Sequence, residues 1–146
     1  MTIQDRIERT IELPVSQERA WRALTDAAEL SKWFGKCLGI DLRVGGTIDW
    51  DWHQEDTIKS VIEVLDPPRH LAYRWRPGAY DPAYAHIHYT TLVEFILEPT
   101  TTGTRLRLIE SGFAGLPAAV RAKALADNEG GWTEELTDLV NYFKEA

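Results

Sequence analysis

Between residues 40 and 110 the apolar side chains fall at every second position, in short runs separated by glycine and proline pairs. After Gly130-Gly131 the spacing becomes helical. This change of period constrains the fold more than any other feature of the chain. Alternation at two residues marks half-buried strands, and consecutive strands joined by turns pair as an antiparallel meander. Gly45-Gly46 is the first turn, and Thr47-Ile48-Asp49-Trp50-Asp51-Trp52-His53 alternates strictly after it. A second run over 58–65 is broken by Asp66-Pro67-Pro68-Arg69. Leu71, Tyr73 and Trp75 then share one face against His70, Arg74 and Arg76, and strand period resumes around Ile87. Thr91, Val93, Phe95 and Leu97 oppose Glu94 and Glu98, and after a turn at 99–103 the last run ends at Glu110.

The flanks read differently. Ile7, Ile11 and Leu13 form a strand face stopped by Pro14. Ser16 is placed to cap a helix whose buried side is Ala20, Trp21 and Leu24, closed by Thr25-Asp26. A second short helix follows over 27–34, with Gly35 suited to a left-handed cap. At the other end Trp132, Leu136, Leu139, Val140 and Phe143 make one helical stripe, and Gly130-Gly131 marks its soft start. The acidic residues Glu134, Glu135, Asp138 and Glu145 read as its solvated face. The predicted class is α+β: a curved antiparallel sheet of about six to seven strands around a long C-terminal helix, with two short helices after the first strand. Such an arrangement leaves a cavity between sheet and helix, where a ligand would sit.

A chain of 146 residues suits a single domain over 1–146, large enough to fold around its own core. Sixteen basic against 23 acidic residues give a net charge of −7, which disfavours a phosphate-binding surface and hence nucleic acid. The start lacks a signal-peptide pattern, and no apolar run approaches the roughly 18 residues that span a membrane. A cytoplasmic location is the expectation, with no membrane partner. One cysteine, Cys37, excludes an internal disulfide and reads as a small buried thiol. Phosphate-loop, dinucleotide and Gly-x-Ser-x-Gly patterns do not occur, so no cofactor is expected.

Six tryptophans direct attention to the inner face of the sheet. Trp50, Trp52, Tyr73, Trp75, Val93, Phe95, Leu106 and Leu108 should face Trp132 and Leu136 on the helix. These residues are either plain core or the lining of an apolar pocket, whose rim indoles would offer N–H donors to a ligand. Glu110 carries the same parity as Leu106 and Leu108, which places a carboxylate on that inner face. It is the one weak catalytic candidate, as an acid or base; the plainer reading is a strand-end carboxylate reaching water before Ser111-Gly112. His86 and His88 share a strand side, but His53, Glu55 or Asp56 would have to complete a metal site, and none is expected. The aromatic loop over 76–85, with Tyr80 and Tyr84, reads either as a lid or as a homodimer contact.

Several segments in order resemble the family of activator-of-heat-shock-protein-90-ATPase homologues. They are Trp21-Arg22-Ala23-Leu24-Thr25-Asp26 with Leu30 and Trp33-Phe34-Gly35, Gly45-Gly46-Thr47-Ile48-Asp49-Trp50, and Val64-Leu65-Asp66-Pro67-Pro68-Arg69-His70-Leu71 with Trp75. Thr91-Leu92-Val93-Glu94-Phe95, Gly103-Thr104-Arg105-Leu106, Ser111-Gly112-Phe113 and Gly131-Trp132 with Leu136 and Leu139 complete the pattern. The resemblance implies a helix-grip fold of the START-like, birch-pollen-allergen-like superfamily (SRPBCC), whose members hold hydrophobic small molecules between sheet and helix. In that family's pattern the position of Glu110 is often histidine. The second domain that anchors the co-chaperones of the family is not expected in these 146 residues, so a chaperone contact is not the expected role. Three functions follow as expectations: a binder of an apolar or aromatic small molecule, a co-chaperone-like module, or an enzyme on an aromatic, polyketide-like substrate using Glu110.

Overall fold

A computed structural model describes residues 4–51, 60–77 and 87–145. Strand β1 (Arg6–Leu13) is followed by helices α1 (Gln17–Thr25) and α2 (Ala27–Trp33). Six further strands come next: β2 (Cys37–Ile40), β3 (Thr47–Trp50), β4 (Ser60–Asp66), β5 (His70–Trp75), β6 (Thr91–Pro99) and β7 (Thr104–Ser111). A short 3-10 turn (Phe113–Gly115) leads into α3 (Ala118–Lys144). Every pairing is antiparallel, in the order β1-β7-β6-β5-β4-β3-β2. The predicted helix-grip architecture is what forms, an α+β fold with a curved sheet and a long C-terminal helix.

The period-two reading sorts the faces correctly. Thr91, Val93, Phe95 and Leu97 of β6 are all buried, as are Leu106, Leu108 and Glu110 of β7. The outer face carries cross-strand ion pairs instead: Arg105–Glu12 and Arg107–Glu8, both at 2.8 Å, and Arg74–Glu63 at 2.7 Å. Such exposed pairs stabilise little individually, but they keep that face in water. Strand ends are fixed by close backbone approach. A methyl group at Gly103 would stand 2.1 Å from the Leu13 carbonyl oxygen, so only glycine lets the β6–β7 turn lie against the end of β1.

Local signals fix the helices too. Ser16 accepts from the Arg19 N–H at 3.2 Å. Asp26 ends α1 with its N–H on the Arg22 carbonyl and starts α2 by accepting from the Glu29 N–H at 3.0 Å. The two helices are tied to the end of α3, where the Tyr142 hydroxyl donates to Glu29 (2.8 Å) beside the Arg19–Glu29 pair.

Four expectations need correction. Gly35 does not take a left-handed conformation; Phe34 caps α2 in the ordinary helical region, and among the described residues the positive-φ glycines are Gly45 and Gly112. Gly130-Gly131 does not start the final helix, which begins at Ala118 behind Pro117 and runs through both glycines. Strand β6 begins at Thr91, not near Ile87. Glu135 is not simply solvated: its Oε2 is buried with no hydrogen-bond partner among the described residues, while Glu134, Asp138 and Glu145 are exposed. Burial, followed by the nearby Asp138 and Glu134 charges, pushes its pKa up to about 7.

Candidate functional site

Five elements bring aromatic side chains to one place. Phe34 leaves the end of α2, Trp50 the end of β3, Tyr73 and Trp75 stand on β5, Phe95 on β6 and Trp132 on α3. Phe34 lies between Trp50, Trp75 and Trp132, with ring centroids at 5.1, 6.1 and 5.6 Å. Phe95 meets the edge of Trp132 at 5.8 Å, and Tyr73 meets Trp75 at 5.7 Å. Trp75 and Trp132 stack at 5.6 Å with 25° between their planes, so sheet and helix touch there ring to ring. Trp132, Tyr73 and Phe95 are buried, whereas Trp50 and Trp75 are partly exposed. The cluster is therefore buried toward α3 and partly exposed on its Trp50–Trp75 side.

At one border of the cluster lies Glu110, opposite Val93 on β6 and Ile7 on β1. It is 0% exposed, so the strand-end carboxylate reaching water is not what the chain makes. One oxygen accepts from the Trp132 indole (2.8 Å) and the Asn128 amide (2.8 Å). The other accepts from the Trp75 indole (2.8 Å), the Thr91 hydroxyl (2.5 Å) and the same Asn128 nitrogen (3.0 Å). Indole and amide N–H groups can only donate, so a carboxylate with about four lone-pair sites answers all of them. A buried carboxyl group is tolerated only with such partners. Burial, with Glu110 nearby, also pushes the Tyr73 phenol well above its ordinary pKa, which keeps it protonated.

The inner-face residues named from sequence are thus brought together with unequal roles. Trp50, Tyr73, Trp75, Phe95 and Trp132 form the ring cluster, and Val93, Leu106, Leu108 and Leu136 are buried in the surrounding core. Trp52 lies outside the described residues, as do His53, Glu55, Asp56, Tyr80, Tyr84 and His86; His88 is exposed. The indole N–H groups expected at a ligand rim are engaged within the protein: Trp50 donates to Ser60 (3.0 Å), Trp75 and Trp132 to Glu110. Cys37 is the buried thiol anticipated, its pKa raised chiefly by burial.

Sequence reasoning missed Phe34, Thr91 and Asn128 as members of the site. Asn128 stands one helical turn before Trp132, a spacing that signals a shared face only once α3 is known to run through the glycines. Thr91 had the right parity but no reason to be distinguished from its apolar neighbours.

A sheet gripped by a C-terminal helix, with a ring cluster between them, defines a helix-grip protein. The family described as activator of Hsp90 ATPase homolog 1-like protein matches residues 14–144, and the chain belongs to it. No curated protein matches. Among solved structures, protein MLL2253 from Mesorhizobium loti is 28% identical with a TM-score of 0.74, covering 97% of this chain and 98% of its own. The Aha1 dimer from Colwellia psychrerythraea is 20% identical, TM-score 0.69, with 96% of each chain covered. DynU16, a protein of the dynemicin biosynthetic locus, is 20% identical with a TM-score of 0.74 over 97% of this chain and 48% of its own. These last two likenesses speak to the fold.

Proposed function

We propose that the chain works as one helix-grip domain that binds an apolar, aromatic small molecule against the ring cluster between the sheet and α3. The observation that carries this reading is the pair of partly exposed tryptophans, Trp50 and Trp75, held by Phe34 at the border of an otherwise buried aromatic cluster. The exposed parts of the two indoles are apolar surface that a flat ligand stacked on them would remove from water. Covering about 300 Å² of apolar ligand surface would supply roughly 7–8 kcal/mol before the entropy of association is subtracted. Glu110 in this reading organises the site; proton transfer by it would require one of its donors to move away first. The reading places this work in the cytoplasm; among the described residues no helix is long and apolar enough to cross a membrane. The solved dimer of the Colwellia relative makes a homodimer the oligomeric state to test first.

Tryptophan fluorescence titrated with 1-naphthol tests the reading. Saturable quenching that Trp50→Ala weakens supports it, and quenching unchanged in a folded Trp50→Ala protein overturns it.

A further inference from the structure

We propose that the part of α3 ahead of Gly130 is a gate to the ring cluster, hinged at Gly130–Gly131 and latched by Asn128 on Glu110, and that the ligand it admits offers an N–H or O–H donor to Glu110 in Asn128's place. This rests on the ligand-binding reading above and assigns the access route and the polar chemistry of the ligand.

The hinge follows from the two glycines. They lie near the middle of a 27-residue helix, where each weakens helix formation relative to alanine. Glycine in a helix is explained when a neighbour presses on the backbone. Here a methyl group at either position would meet no atom of the described residues within 4 Å. Two adjacent glycines without that reason leave the helix softest at this point, and paired small residues are where helices bend.

The two sides of the hinge are held unequally. Beyond it Trp132, Leu136, Leu139 and Phe143 are buried; ahead of it the buried side chains are Val120 and Ala124. The bonds to Glu110 straddle the same point. Trp132 comes from the anchored side and Asn128 from the looser one. The Asn128 amide nitrogen reaches both carboxylate oxygens, at 2.8 and 3.0 Å, so the one latch that the looser side supplies touches the whole carboxylate.

The chemistry of the exchange is set by Glu110. Every group facing its oxygens is a donor, so whatever replaces Asn128 must also donate. An acceptor-only ligand would leave a buried oxygen facing another lone pair. The class is an aromatic molecule carrying a ring N–H, an amino group or a hydroxyl.

Two measurements test this. In hydrogen exchange without ligand, amides of 118–129 should exchange faster than those of 132–144. Gly130→Ala with Gly131→Ala should slow the first group about four- to fivefold per glycine and leave the second unchanged. Uniform exchange along α3, indifferent to the double variant, overturns the gate. Calorimetry then compares indole with 1-benzothiophene, neutral molecules of one shape that differ in the N–H. Indole should bind the tighter, and Asn128→Ala should tighten indole about tenfold while barely moving benzothiophene. Equal affinities in both proteins overturn the donor assignment. If neither molecule binds any variant while the hinge shows in exchange, the ligand-binding reading itself falls and the proposal with it.

Discussion

Trp75 on β5 and Trp132 on α3 stack on each other and donate their indole N–H groups to different oxygens of one carboxylate, that of Glu110. Sheet and helix are thereby joined by an apolar contact and a polar one at the same place. The polar contact dictates alignment, because two donors fixed to rigid rings reach both oxygens only when the strands and helix are in register.

Glu110→Gln keeps the shape but replaces one acceptor with an amide N–H that opposes an indole or the Thr91 hydroxyl. Breaking one member of a buried network this way should cost about 2–4 kcal/mol. Urea denaturation should show the midpoint falling with its slope unchanged.

Phe95→Ala removes a buried ring that contacts both Trp132 and Tyr73. A loss of about 3–5 kcal/mol is expected, measured by the same titration. A change under 1 kcal/mol would mean that the neighbouring rings close over the space.

Glu135 makes stability depend on pH. Its folded pKa, about 7, is raised above the ordinary 4.5, so its contribution is present below that ordinary value and lost as pH rises through 7. Glu135→Gln should therefore match the parent protein near pH 4 and exceed it at pH 8, by on the order of 1 kcal/mol once solvent screening is allowed for. Melting temperatures across that range check the sign; a constant offset would refute the assignment.

Gly103→Ala tests the turn. Its added methyl would stand 2.1 Å from the Leu13 carbonyl oxygen, and backbone must shift to admit it. A loss of about 2 kcal/mol or more is expected in thermal unfolding, against little effect at Gly39, where a methyl meets no described atom within 4 Å.

The fold was legible because its determinants are local. Parity along β5, β6 and β7 assigned inner and outer faces, and Ser16 and Asp26 announced the helix boundaries through their own side chains. The site was legible by half. Parity could place Glu110 inside but could not reveal its donors, because Asn128, Trp132, Trp75 and Thr91 converge on it from three separate elements. The helix start failed for a related reason: two glycines argue for a break, and tertiary packing ahead of them, with Val120 and Ala124 buried, overrides them. Glu135 shared the spacing of its solvated neighbours, and nothing local distinguishes the one that tertiary packing covers.

Strand β1 pairs along its whole length with β7, Arg6 opposite Ser111 and Leu13 opposite Thr104. A ribosome adding about 5–20 residues per second therefore finishes β7 some 5–20 seconds after β1 has been made. Through that interval β1 has no sheet to join, and its Arg6, Glu8, Arg9 and Glu12 are the side chains that keep it from other nascent chains. The ion pairs that Glu8 and Glu12 later form with Arg107 and Arg105 reuse the same charges. What serves as a surface ladder in the finished molecule guards an unpaired strand during synthesis.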